Sequence, residues 1–429
     1  MKKTYVIGMA LMGSLAFCAC TGNQSAGDGL GEGAEQEITL AVANGNSTST
    51  RAGRPLLSSE AKQNIDKVIV YVVDASTKEV KHTEEVTNWQ SSSEEYGTND
   101  GRFTSFVLDT KLPTGDYQLF AVGYQSQGSS YGDIESALVS GSTFQENAVL
   151  PLTADGPAEE IFAGSTESFH VDQAKGFKQR VVLNRQVAGV YVYAKEVPFI
   201  AGATELRLVA SNENNRLVLG QFVNLELDNN GFGNSIQTAV VNGYSQESAF
   251  DKTLVKIDLN EWFTAIEDTD GNGLIDTGVE YANWKKPGFS ETATFEKGSV
   301  FGGAFVIPFA KVGEEQTLKL QLTTAGGSEV KREWNVNLPS TETNTYTLYT
   351  WNGASFGEGE SVTEDAHHYN IVRNHLYGLG SRTMDDPGTG TDPEPGIDED
   401  DDPISLNNKH ELELIVNDNW EAIHDMELD

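Results

Sequence analysis

Cysteine is almost absent. The chain of 429 residues has two, Cys18 and Cys20, both inside a mostly apolar opening run. No disulfide can form in the remainder, so stability there must come from packed cores, with bound metal as a further source. Positive charge is scarce as well. Lys+Arg number 29 against 64 Asp+Glu, a formal net charge of −35. A field of that sign repels nucleic acid and anionic lipid and suits cationic partners such as calcium. No Lys or Arg lies between Thr4 and Thr50, so the first basic residue after Lys3 is Arg51, in the small, polar stretch NSTSTRAGRP. Catalytic signatures are missing too. There is no phosphate-cradling Gly loop with Lys-Ser/Thr, no G-x-S-x-G, no H-E-x-x-H and no C-x-x-C. Carboxylates are abundant, but nothing singles out a glycosidase-like pair. Long apolar stripes of helical period are absent.

What is present begins with a targeting pattern. Lys2 and Lys3 precede the uncharged run TYVIGMALMGSLAFCAC, too short and too rich in small residues for a membrane-spanning helix. It ends in FCAC, followed by the Gly/Ser/Asn-rich tether TGNQSAGDGLGEG. This resembles a bacterial lipoprotein signal over residues 1–19, with Ala19 before a lipid-bearing Cys20. Cys18 is the competing choice, with bulky Phe17 before it. An ordinary cleaved signal is the other reading.

Strand signals fill the body. In QEITLAV, Ile38, Leu40 and Val42 alternate with polar or small residues, as in a half-buried strand. VIVYVVD (68–74) is a continuous β-branched and aromatic run, as in a strand buried on both faces. FTSFVLDTKLPTGDYQLFAVGYQ predicts two strands joined by a Pro-Thr-Gly-Asp turn. RVVLNRQVAGVYVYAKEV predicts one long strand or two broken at Gly189, and residues 302–340 three more, with turns at Gly313-Glu314 and Gly326-Gly327. Short helical pieces are expected near Ser58–Lys62 and Leu259–Ile266. Many short strands with frequent turns predict an all-β chain of two tandem β-sandwiches, over 52–168 and 169–382, with a boundary near 159–173.

Residues 383–403 are mostly Asp, Glu, Pro and Gly, without a basic residue, and read as an extended acidic linker. Strand character then returns in HELELIVNDNW, where Leu412, Leu414 and Val416 alternate with Glu411, Glu413 and Ile415. This terminal strand, within 404–429, has no obvious sheet of its own.

One candidate metal site stands out. DTDGNGLID places Asp268, Asp270, Asn272 and Asp276 at positions 1, 3, 5 and 9 of a calcium loop, with Gly273 at the sharp turn and the Leu274 carbonyl at position 7. Val279 stands where the bidentate acid of a helix–loop–helix calcium site belongs, and Glu280 comes one residue late. Two readings stand: an Asp-rich calcium loop between strands, or a solvated acidic turn. His367, His368 and His375 fall in a stretch that reads as a strand and its approach, where structural roles are commoner than metal binding.

KLPTGDYQLFAVGY, VVLNRQVAGVYVYAKEV, FVIPF and above all YNIVRNHLYGLGSR (369–382), in that order and behind a lipoprotein signal, resemble the FimA-type fimbrillins, the type V pilins of Bacteroidales-like bacteria. The resemblance implies two β-sandwich (transthyretin/Ig-like) domains without enzymatic activity. It implies export as an outer-membrane lipoprotein and cutting of the propeptide 20–51 by an arginine-specific protease between Arg51 and Ala52. Polymerisation by strand exchange into a cell-surface fimbrium would follow. Arg54 suits a protease less, because Pro55 follows it. In that scheme Ile38, Leu40 and Val42 form the displaced strand and Leu412, Leu414 and Val416 the donor strand. Partners would be other copies of the chain, related fimbrial subunits and surface ligands. Nucleic acid is excluded, and the membrane is met only through the precursor's lipid. A shaft subunit is favoured over a tip or anchor, because the terminal strand would otherwise have no task. The rivals are a monomeric surface lipoprotein that binds glycans through aromatics such as Tyr349 or Trp351, and, third, a hydrolase.

Overall fold

The computed structural model describes residues 35–42, 65–96, 101–153, 158–219, 238–241, 245–277, 284, 295–309, 318–337, 346–350, 360–362, 371, 373, 376–381, 402–407 and 411–417. The chain is all-β, and most of its strands join two nine-stranded sheets. The first sheet runs in the order Val80–Thr87, Lys67–Asp74, Gly115–Tyr124, Ile161–Ser165, Phe177–Arg185, Gln36–Val42, Gly101–Val107, Glu94–Tyr96, with Phe169–Val171 also on Gly115–Tyr124. The second runs Ser245–Asp258, Glu205–Asn214, Leu318–Thr323, Val330–Asn337, Glu411–Asn417, Leu376–Leu379, Ala188–Lys195, Val300–Val306, with Ile404–Ser405 also on Ala188–Lys195. The second sheet curls until its two edges touch. A Cβ on Gly302, in one edge strand, would lie 2.7 Å from Ile257 of the other.

Lys67–Asp74 shows why such a run is apolar throughout. Val68, Val70 and Val72 enter one core and Ile69, Tyr71 and Val73 the other, so both faces are covered. The first core lies on one face of the first sheet around Ile38, Leu40, Trp89, Leu119 and Phe162. The other continues from the opposite face through Leu150 and Leu217 into the second sheet. There Val149–Pro151 pairs antiparallel with Arg216–Val218 and ties the two sheets together.

Two expectations are corrected. The strand Phe177–Arg185 belongs to the first sheet, so the chain changes sheets at Gln186-Val187 and not at 159–173 or Gly189. The resumed apolar alternation at Phe177 reflects that sheet's own core, to which Val181 and Leu183 contribute. A buried ion pair marks the crossing: Arg185 Nη2 lies 2.7 Å from Glu160 Oε1. Gly101–Val107 and Gly115–Tyr124 are the two strands expected on either side of the turn; they flank it without pairing with each other, since each has other neighbours in the sheet. Secondly, the terminal strand does have a sheet, the second one. Of the acidic segment 383–403, only residues 402 and 403 lie among the described residues. The backbone groups of Ser381 and Asp402 bond each other at 2.9 and 3.0 Å. Helical pieces occur at Trp89–Ser92, Ile134–Leu138, Leu259–Glu261 and Ala325–Gly327, of which only the third was expected as helical, and residues 58–62 lie outside the described residues.

Candidate functional site

The first strand, Gln36–Val42, is not at an edge. It runs parallel to Phe177–Leu183 and antiparallel to Arg102–Val107, so both of its backbone rims are paired. Alternation places Gln36, Ile38 and Leu40 inward, where Ile38 and Leu40 are wholly buried. Gln36 is also buried, and its amide closes a two-bond pair with one backbone unit. Its Nε2 donates to the Leu112 carbonyl at 3.1 Å, and its Oε1 accepts from the Leu112 N–H at 2.7 Å. The turn-bearing stretch after Gly101–Val107 thus anchors the start of the strand. On the outer side Glu37 pairs with Lys178 at 2.5 Å, and Thr39 Oγ1 meets Ser105 Oγ at 2.7 Å. The Glu37 hydrogen bond raises the Lys178 ammonium above its ordinary pKa.

The terminal strand, Glu411–Asn417, occupies an analogous slot. Its first residues run parallel to Asn335–Asn337 and its last residues antiparallel to Leu376–Leu379. Leu412 is buried. Of Val42, Leu414 and Val416 the structure describes the backbone pairing alone. The segment before the strand is docked as well. Ile404–Ser405 pairs with Ala194-Lys195, and Leu406 is buried with its N–H on the Lys195 carbonyl at 3.0 Å.

The motif that carried the sequence resemblance builds one wall of this slot. Within YNIVRNHLYGLGSR, Ile371 and Phe309 exchange two backbone hydrogen bonds of 2.9 Å, and buried Arg373 donates to Gln186 Oε1 at 3.4 Å. Leu376–Leu379 lies between Gly189–Val192 and the terminal strand. Gly378 must be glycine, since a Cβ there would lie 2.2 Å from the Tyr191 ring. Gly380 has φ +78°, and its carbonyl accepts from the Tyr191 hydroxyl at 3.0 Å. Neither the buried Gln36 nor this wall was read from the sequence as part of a site. The G-x-G spacing in LYGLG was the available signal for close approach.

The acidic loop is exposed and gathers its acids. One carboxylate oxygen each of Asp268, Asp270 and Asp276 lies within 4.8 Å of the others. Backbone donors hold them. Asp268 accepts from the N–H groups of Gly271, Asn272 and Gly273 at 2.8–3.0 Å. Asp270 accepts from Asn272 N–H at 3.0 Å, and Asn272 Oδ1 from Leu274 N–H at 2.8 Å. Thr269 donates its N–H to Asp276 at 2.7 Å and its hydroxyl at 2.5 Å, which keeps that carboxyl below its usual range. The fold requires Gly271 and Gly273 at φ +74° and +85°. Leu274 bridges Pro198, which fixes the loop to the second sheet's side of the molecule. Hard carboxylate oxygens held this close fit a hard divalent cation. Val279 and Glu280 lie outside the described residues, as do Cys20, Arg51, Ala52, the three histidines at 367, 368 and 375, and Trp351.

No protein-family profile matches the chain, and no curated protein does. Among solved structures, a candidate cell-adhesion protein from Parabacteroides distasonis is 14% identical, with 92% of this chain and 100% of that one covered and a TM-score of 0.39. The C-terminally truncated tip fimbrial protein Mfa3 of Porphyromonas gingivalis is 11% identical over 80% of this chain and 93% of that one, with a TM-score of 0.36. The fimbrial anchor protein Mfa2 of the same organism is 10% identical over 79% of this chain and 99% of that one, with a TM-score of 0.33. These descriptions name the class of protein that the sequence resembles. All three TM-scores are below 0.5.

Proposed function

We propose that the chain is a structural subunit of a cell-surface fimbrium, exported as a lipoprotein on Cys20, cut between Arg51 and Ala52, and polymerised by strand exchange. One observation carries this reading. The strand that such a cut would free is an internal strand of the first sheet with its inward side chains wholly buried. Its departure exposes the apolar surface covered by Ile38 and Leu40, worth about 3–6 kcal/mol for two such side chains. It also leaves two strand rims unpaired. Against a domain stability of about 5–15 kcal/mol, an empty slot of this kind does not persist. The terminal strand of a second copy supplies three aliphatic residues at the same spacing and fills the slot by β-augmentation.

The test is Leu414→Arg. The expected outcome is a protein that loses the docking of its terminal strand, is still exported and cut, and forms no SDS-resistant ladders, whereas Leu414→Met, which keeps an apolar side chain, forms them. Ladders of normal length would remove the terminal strand as donor. A monomeric surface lipoprotein is the second reading, favoured by the terminal strand's docking in its own second sheet. The two differ in the mature N-terminus, which is Ala52 for the polymer and lipid-bearing Cys20 for the monomer or an anchor.

We further propose that the acidic loop binds calcium through Asp268, Asp270, Asn272, the Leu274 carbonyl and Asp276. A site specific to the folded state stabilises it by about 2.7 kcal/mol at a hundredfold excess over Kd. Millimolar calcium is expected to raise the Tm, and Asp270→Ala to abolish the rise. A wild-type Tm indifferent to calcium would leave the loop a solvated turn.

A further inference from the structure

The slot of the first strand selects more than aliphatic residues. Its inward positions take an amide at the Leu112 backbone and then aliphatics, and its first outward position takes an acid at Lys178. The terminal segment HELELIV matches the first strand QEITLAV residue for residue in type at four of these places: Glu411 for Glu37, Leu412 for Ile38, Leu414 for Leu40 and Val416 for Val42. Three of the four are identical.

Other placements fit worse. A slip of two residues one way puts His410 where Ile38 is buried. A slip the other way puts Leu412 against the Leu112 amide and carbonyl, leaving both without a partner, and brings Asp418 to the place of Val42. A one-residue slip turns Glu411 and Glu413 into the core. Reversal keeps three aliphatics inside, but it puts Asp418 at the Leu112 backbone, Asn417 at Lys178 and Ile415 opposite Ser105.

We propose, on the basis of the fimbrial reading above, that a second copy's terminal strand enters this slot in the first strand's own direction and register. It then runs parallel to Phe177–Leu183 with the polar His410 at the Leu112 backbone in place of Gln36, Glu411 at Lys178 and Glu413 opposite Ser105. In its home slot the same strand also has one parallel and one antiparallel neighbour, so the exchange preserves both kinds of pairing.

The outward pair at Ser105 gives the test. Thr39 and Ser105 are direct antiparallel partners whose hydroxyls touch at 2.7 Å, so two cysteines at these places would set their sulfurs side by side. Cutting after Arg51 removes both native cysteines. The cleaved double variant Ser105→Cys/Glu413→Cys, polymerised and oxidised, is expected to give a covalent ladder that survives boiling in SDS and collapses on reduction. Ser105→Cys/Glu411→Cys and Ser105→Cys/Ile415→Cys are expected to give none. A ladder from the Glu411 pair would mean a two-residue slip, and one from the Ile415 pair a reversal or the opposite slip; either overturns the proposal. So does the absence of covalent ladders from all three while the wild type still forms SDS-resistant ones. A covalently closed monomer from the Glu413 pair, or a wild type that never polymerises, would instead overturn the fimbrial reading and the second copy with it.

Discussion

The two ends of the described chain complete the two sheets in related ways and with different security. Gln36–Val42 and Glu411–Asn417 are both internal strands with one parallel and one antiparallel neighbour. The first is paired on both rims along nearly its whole length and pinned at its start by the Gln36 amide. Among the described residues the terminal strand meets one neighbour with its first three residues and the other with its last four. Its wall turns away at Gly380, where Ser381 pairs with Asp402 instead. A strand pinned by a buried polar pair has a fixed register and leaves only when the chain is cut. A strand held in two halves by different partners can be given up for a better-matched slot. In the proposed exchange this difference would supply the direction, from the home slot of the terminal strand to the vacated slot of a neighbour.

Substitutions in the uncut protein can break or sharpen this contrast. Leu40→Lys puts a charge into a fully buried position and is expected to cost more than about 4 kcal/mol, seen as loss of the cooperative urea transition. If the stability is retained, the first strand does not hold its sheet together. Leu412→Ala is expected to cost about 2–5 kcal/mol where the terminal strand is docked at home. No change in the urea midpoint would show that strand already undocked in solution. Gln36→Ala leaves the Leu112 N–H and carbonyl without their partner and is expected to cost about 1–3 kcal/mol, with the m-value unchanged. Smallest is Lys178→Ala, expected to leave the midpoint where it is, because an exposed ion pair contributes little to stability. In the proposed exchange its effect would appear in ladder assembly, where Lys178 would meet the incoming acid.

The sequence made the strands legible where one residue type dominates a face. Val68–Val73 announced two buried faces, and Ile38 and Leu40 a buried one, because side-chain period alone decides those questions. Neighbours were not legible. Nothing local to FTSFV and DYQLF says that the strands flanking a good turn pair elsewhere, since pairing depends on cores assembled over long sequence separations. The sheet boundary was misplaced for a related reason. Phe177–Arg185 and Ala188–Lys195 follow one another with only Gln186-Val187 between them, and nothing local says that different cores receive them. Gln36 was invisible because a glutamine beside a strand reads as solvated until its partner, 76 residues away, is in place. The acidic loop shows the opposite case. Its turns, its glycines and its gathered carboxylates are local, and the spacing in DTDGNGLID specifies them.

The central claim is that the first strand is removed and its slot refilled. The most direct measurement is the N-terminal residue of the subunit in filaments sheared from the cell surface, read by mass spectrometry. The account requires Ala52, with residues up to Arg51 missing from the filament. A lipid-bearing Cys20 on the filament subunit, with Gln36–Val42 still attached, would contradict it.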